Sequence, residues 1–314
     1  MTNALQELEL TLQQRIGEIV LGVSPAVRAL CIAVVARGHV LVQGVPGLGK
    51  TLLSKSLAGA LGGKFKRIQG TSDLMPTDIT GTHLFDAAKN EFVFRPGPLF
   101  ADVVLFDEVN RAGPRTQSAL LEAMEERQVT VDRAQFALPA DFLVIATQNP
   151  REFEGTYPLP ESQLDRFMLR LDLTYPALDD ETQVLMRYTG VAAEPARSVS
   201  SAVAQGQVQQ ARAAAEQVHI SAELCAYVLA IAKASREHGQ LSLGVSTRGA
   251  LALLRAARIY AGIEGAEFVA ADDVKAVAPM VLPHRLMLTA DALLADVTEF
   301  DVVARILEQV PAPR

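Results

Sequence analysis

The sequence predicts an α/β nucleotide-binding fold followed by an all-helical second domain, and three observations carry that prediction. A phosphate-binding loop stands between a strand-like run and a helix-like run. Further apolar runs end in acidic or polar residues, as buried parallel strands do where they meet a ligand. Past Pro176, glycine-rich and strand-like stretches give way to alanine-rich helical patterns. The chain has 314 residues, 49% hydrophobic and 21% charged, a globular balance with room for two domains.

In chain order, Leu5, Leu8, Leu12, Ile16 and Ile19 mark an amphipathic helix over residues 5–20. Ser24-Pro25 reads as the N-cap and first-turn pair of a second helix, from about 26 to 36. The apolar run His39 to Gln43 then enters Gly44-Val45-Pro46-Gly47-Leu48-Gly49-Lys50-Thr51, a P-loop, and Leu52 leads into a helix with Leu53, Leu57 and Leu61 on one face. Gly44, Gly47 and Gly49 let the backbone close round phosphate oxygens. Lys50 brings a charge to the β and γ phosphates, and Thr51 offers a hydroxyl to Mg²⁺. The stretch from Gly44 to Leu52 is therefore the candidate ATP site.

Lys64 to Gln69 reads as a strand on which Lys64, Lys66 and Arg67 alternate with Phe65 and Ile68, a solvated face rather than a nucleic-acid patch. Glu91 to Pro98 looks like one arm of a hairpin turning at Ala88-Lys89-Asn90. Val103 to Glu108 is an apolar strand ending in two acids, the form of a Walker B element. Successive strand side chains face opposite ways, so the acids must differ in role: Asp107 joins the Mg²⁺ shell beside Thr51, and Glu108 polarises the attacking water.

A helix is expected from Ser118 to Glu126, then a second hairpin built on Val129 to Val131 and Gln135 to Ala137. Phe142 to Thr147 is another buried-type strand, ending at Gln148-Asn149-Pro150. Asn149 either meets the γ-phosphate and its water or is a turn residue before Pro150, and the motif supports both readings. Arg166 closes a short helix, where it suits the macrodipole and can pair with Glu161 or Asp165; in a multimer it can instead serve a neighbour as an arginine finger. Beyond a strand at Met168 to Leu171, helices are expected near 179–189, 207–218, 221–235, 248–261 and 271–278, with one more before Val310. Ser246 or Thr247 caps one of them. Arg248 in its first turn opposes the helix dipole, and a reach across the domain cleft to an ATP phosphate would explain it.

The remaining signals exclude other classes. The net charge of −7 argues against whole-surface nucleic-acid binding. No apolar run approaches the roughly 20 residues of a membrane span, and the polar start resembles no signal peptide, so a cytoplasmic protein is expected. Cys31 and Cys225 sit in apolar helical stretches and read as buried thiols, and the five histidines form no metal motif.

With these residues in view, the chain resembles the MoxR family of AAA+ ATPases over nearly its whole length. The likeness rests on Gly44 to Thr51, Arg67-Ile68-Gln69, Asp78 to Gly81, Pro96 to Phe100, Asp107-Glu108 with Asn110-Arg111-Ala112, Gln117 to Glu126, Ala146 to Pro150, Gly155 to Pro160 and Gln163 to Phe167. It implies an αβα core with a five-stranded parallel sheet (1–176) and an all-α lid (177–314). The core would carry a helix-2 insert at about 84–97 and a pre-sensor-1 hairpin at about 129–140, both facing the centre of a ring. It also implies that Asn149 is sensor 1, Arg166 the trans arginine finger and Arg248 sensor 2. The protein is then expected to be a ring-forming Mg-ATPase, commonly hexameric, that remodels a protein client with a von Willebrand factor A domain partner. A magnesium-chelatase-like motor and a nucleic-acid motor like the MCM helicases are rival readings, and a third, a non-enzymatic ATP switch, is opposed by the intact Glu108. Three departures stand out: Gly113 where the family usually has Pro, Asp132-Arg133-Ala134 where its hairpin turn usually contains Gly, and Thr247 where a Pro usually precedes sensor 2.

Overall fold

The computed structural model describes residues 3–45, 47–132, 134–149, 155–187 and 201–313. In order, its elements begin with α1 (Ala4–Gly17), α2 (Ser24–Ala36), β1 (Val40–Gln43), α3 (Lys50–Leu61), β2 (Phe65–Gln69), α4 (Pro76–Thr80), β3 (Gly81–Asp86), β4 (Glu91–Pro96) and β5 (Val103–Asp107). After a 3₁₀ turn (Val109–Arg111) come α5 (Pro114–Glu126), β6 (Gln128–Val131), β7 (Ala134–Ala137), β8 (Leu143–Gln148), α6 (Glu161–Leu164), β9 (Leu169–Asp172) and α7 (Leu178–Arg187). The C-terminal part holds α8 (Gln207–Gln217), α9 (Ala222–Arg236), β10 (Leu241–Leu243), α10 (Thr247–Ile263), α11 (Ala271–Val281), β11 (Met287–Leu288), α12 (Ala290–Leu294) and α13 (Glu299–Gln309).

Five strands form one parallel sheet in the order β2-β5-β8-β1-β9. The near-continuous apolar sequences of the three inner strands, β5, β8 and β1, follow from burial on both faces. The pleat sorts them. Val40, Val42, Val103, Leu105, Leu143 and Ile145 join the helices α2 and α3 and the C-terminal part in one core. Leu41, Val104, Phe106, Val144 and Ala146 join α4 and α5 in a second core on the other face. β2 is an edge strand, and its Lys66 and Arg67 are exposed, which discourages a further strand from pairing there.

Two antiparallel hairpins, β3–β4 and β6–β7, stand outside this sheet as expected. They touch each other: Phe94 stacks on Phe136 with ring centroids 3.9 Å apart, and His83 Nδ1 lies 3.0 Å from Asp132 Oδ2. The first insert begins at Gly81, three residues earlier than its sequence estimate, because Gly81 already pairs with Pro96. Phe85 and Phe92 form an exposed edge-to-face pair near its tip.

Several local expectations shift. Ser24 is the first residue of α2 rather than its cap, and its hydroxyl donates to Gln13 Oε1 at 2.8 Å. α5 starts at Pro114, four residues before the expected Ser118, because proline suits a first helical turn. β5 stops at Asp107, and Glu108 turns away in left-handed backbone, so the two acids diverge through a turn rather than through the pleat. Cys31 is buried as expected, but Cys225 is exposed on α9. The helical C-terminal part also carries a two-stranded ribbon, β10–β11. The end of the helix expected at 179–189 lies outside the described residues, as does the stretch up to residue 200.

Candidate active site

The carboxyl ends of β1, β5 and β8 meet at the loop after β1, because their register sets Gln43 opposite Gln148 and Phe106 opposite Ala146. Ligands of open parallel sheets bind at this end. Gly47 and Gly49 have φ of 89° and 75°, left-handed backbone that side chains resist, and Gly49 is the residue from which α3 starts. The first N–H groups of α3 lack helical partners and therefore suit an anion. Lys50 Nζ donates to the Gly44 carbonyl at 2.8 Å, tying the end of the loop to its beginning. Val45, Leu48, Thr51 and Leu52 are half-buried around it, while Pro46 lies outside the described residues.

Beside the loop opens a cavity of about 1020 Å³, lined by Leu48, Gly49 and Leu52 together with Tyr175, Met280 and Phe300. Its size and apolar walls suit the base and sugar of a nucleotide. Residues 19–23, between α1 and α2, supply another wall with Pro25, and no motif marks them.

The two acids are fixed by one hydroxyl. Thr147 Oγ1 donates to Asp107 Oδ1 at 2.6 Å and accepts from the Glu108 backbone N–H at 2.9 Å. Asp107 Oδ2 accepts from Arg67 Nη2 at 2.7 Å, so Arg67 is an acid-binding cation and not simply part of a solvated strand face. Glu108 has φ 55° and ψ 53°, a costly conformation for a non-glycine residue and one that concentrates at functional sites. Its Oε2 accepts from Gln69 Nε2 at 2.9 Å and from Arg111 Nη1 at 3.1 Å. The turn requires glycine at position 70, where a Cβ would lie 2.1 Å from the Glu108 carbonyl oxygen. Asn149, nine-tenths buried, follows β8 at the same sheet end.

Among the described residues no group of three or more His, Cys, Asp or Glu could hold a metal by itself. Magnesium is usually held by one or two carboxylates, water and the substrate's phosphates, and the oxygen donors Thr51 and Asp107 fit that pattern.

The two remaining sequence candidates lie together elsewhere. α5 packs on the sheet face opposite α3, and Glu125 near its C-terminus receives both cations. Arg248 Nη2 is paired with Glu125 Oε1, and Arg166 Nε stands 4.0 Å from Glu125 Oε2. Arg166 Nη1 donates to the Leu121 carbonyl at 2.7 Å, while its buried Nε has no hydrogen-bond partner among the described residues. The pairing of Arg166 with Glu161 or Asp165 is not what forms. Nor does Arg248 line the cavity beside the loop; the helices α11 and α13 contribute Pro279, Met280 and Phe300 there instead. Sequence reasoning missed Thr147, Gln69 and Glu125 as individuals, although each lies in or beside a stretch that carries the family likeness.

Residues 39–169 match the ATPase family associated with various cellular activities (AAA), and residues 233–306 match the AAA lid domain. Chaperone MoxR1 of Mycobacterium tuberculosis is 39% identical over 316 residues, covering 97% of this chain and 83% of that one. The uncharacterized protein YeaC of Bacillus subtilis is 42% identical over 281 residues, 90% of this chain and 87% of its own. The crystal structure of a candidate ATPase from Cytophaga hutchinsonii superposes with a TM-score of 0.90 at 35% identity, covering 99% of this chain and 97% of that one. The chain belongs to the MoxR family of AAA+ ATPases.

Proposed function

We propose that this chain is a Mg-dependent ATPase that completes its catalytic sites between neighbouring subunits of a ring, and that turnover remodels or assembles a protein client. One observation carries the reading. Lys50, Thr51, Asp107, Glu108 and Asn149 gather at one end of the sheet, whereas Arg166 and Arg248 converge on Glu125 at the end of α5, a helix on the other face from α3. A transition state gathering charge on a γ-phosphate needs both sets, and a neighbour's Arg166–Arg248 pair supplies the second.

In this scheme the P-loop amides and Lys50 bind the phosphates, and Glu108 accepts the proton of the attacking water. Asn149 orients that water, and Arg166 and Arg248 of the adjoining subunit meet the charge that develops on the transferred group. Bound magnesium supplies neutralisation of the phosphates, with Thr51 and Asp107 as the residues that would hold it. The family likeness supports a hexameric ring, a von Willebrand factor A domain partner and a cytoplasmic setting. Among the described residues no helix is long and apolar enough to cross a membrane.

The test is Glu108→Gln, which removes the base while keeping the loop, used as tagged bait in native extract with ATP or ADP. A protein retained with ATP and released with ADP supports the client reading. Nucleic acid alone retained with ATP, or a wild type that fails to turn over ATP, contradicts it.

A further inference from the structure

Arg285 lies outside every motif in the sequence, yet only 4% of it is exposed and its whole guanidinium is used. Nε donates to Asp165 Oδ1 at 2.8 Å, Nη2 to the Phe167 carbonyl at 2.7 Å and Nη1 to the Met168 carbonyl at 3.2 Å. Nη1 also reaches the Val281 carbonyl of α11. These contacts fall on either side of Arg166. Asp165 then carries the connection further: its Oδ2 accepts from Ser246 Oγ at 2.7 Å. Ser246 is the N-cap of α10, its Oγ accepting from Gly249 N at 2.9 Å, and Arg248 stands in the first turn that this cap fixes.

Burying a guanidinium is costly unless it is paired and its donors are satisfied. Here the burial joins the segment that bears Arg166 to the helix that bears Arg248, through one carboxylate. The neighbouring His284 reinforces the same segment, its Nε2 lying 2.9 Å from the Phe167 carbonyl. Placement matters more than presence for a charge that acts on a transition state, since an error of about 1 Å can cost on the order of a hundredfold in rate.

We propose that Arg285 is a positioning residue for the neighbour's hydrolysis: through Asp165 and Ser246 it sets Arg166 and Arg248 as one rigid unit on the face offered to the next subunit. The inference rests on the trans reading above. Arg285 touches no substrate and leaves its own subunit's phosphate site unaltered.

The test is subunit mixing with Arg285→Gln, with Asp165→Asn as a near-isosteric second variant that keeps the buried cation. Each homogeneous variant is expected to lose about a hundredfold in turnover while binding ADP as the wild type does. Co-assembled with Lys50→Ala subunits, which lack a working phosphate site but keep the pair of cations, each variant should regain turnover well above the sum of the two parents. A role in folding alone would give no such rescue. Arg166→Ala mixed with Lys50→Ala is the reference. If that mixture recovers activity and those with Arg285→Gln and Asp165→Asn do not, the positioning role is overturned. Wild-type turnover in the homogeneous variants overturns it too. If the reference mixture itself stays inactive, the trans reading fails and the positioning role falls with it.

Discussion

Thr147 shows how a site residue can be invisible in a motif and still hold two others. Its hydroxyl is the common partner of the Asp107 carboxylate and the Glu108 N–H, so Thr147→Val removes a donor and an acceptor together while keeping the branched shape. Leaving such groups unsatisfied costs about 1–3 kcal/mol. We expect that loss in chemical denaturation, with a lower rate of ATP turnover; unchanged stability and unchanged turnover would show that the hydroxyl holds neither acid. The P-loop and the Asp107-Glu108 pair were legible because glycine, lysine and paired acids at fixed spacing have few other uses. Glu125 was not. A glutamate in the last turn of an amphipathic helix looks like any solvated residue until the fold brings Arg166 and Arg248 to it.

At the scale of elements, the strands β1, β5 and β8 could be read as apolar runs, but their order could not, since burial on both faces erases the alternation that marks a face. Short polar-edged pieces such as β10, β11 and α12 escaped because they carry no full period of either pattern. His39 illustrates an element-level cost. At the entry to β1 its Nδ1 accepts from the Val144 N–H at 3.0 Å and its Nε2 donates to the Met124 carbonyl at 3.2 Å, so the ring is held neutral in the core. Burial, with Arg127 nearby, lowers its pKa from 6.5 to about 3. The unfolded chain therefore binds a proton that the folded one refuses, and stability falls as pH drops below about 6.5 toward 3. The slope is about 1.4 kcal/mol per pH unit from this ring, and His284, also lowered by burial, adds in the same direction. Denaturant midpoints at pH 7.5 and 5 should differ more for the wild type than for His39→Gln; equal differences would contradict the buried neutral ring.

For the whole molecule, the apparent break in composition after Pro176 is a change of pattern and not of packing. The first core is continuous from Leu5 of α1 through Val40 of β1 to Val302 of α13, because α1 packs on α8 and α10 as well as on α2 and α3. Arg212 of α8 ties the parts again, donating to the Val34 and Val35 carbonyls at 2.8 and 3.2 Å and to Asp141 at 2.6 Å. Arg212→Gln should lower stability by about 2–3 kcal/mol and still unfold in one cooperative step. Two separated thermal transitions would mean that the C-terminal helices fold independently. If a neighbour's Arg166 and Arg248 complete the site as proposed, the cooperative unit for catalysis is the assembly.

That conclusion meets its most direct test in ATP turnover per subunit, measured over a dilution series for the wild type and for Arg166→Ala. If the neighbour completes the site, wild-type specific activity rises with subunit concentration, and the variant, binding ATP normally, is lower by about 10³-fold or more where the wild type is assembled, the gap closing on dilution. Wild-type turnover that is the same in monomer and assembly, or a variant as active as the wild type, would contradict the account.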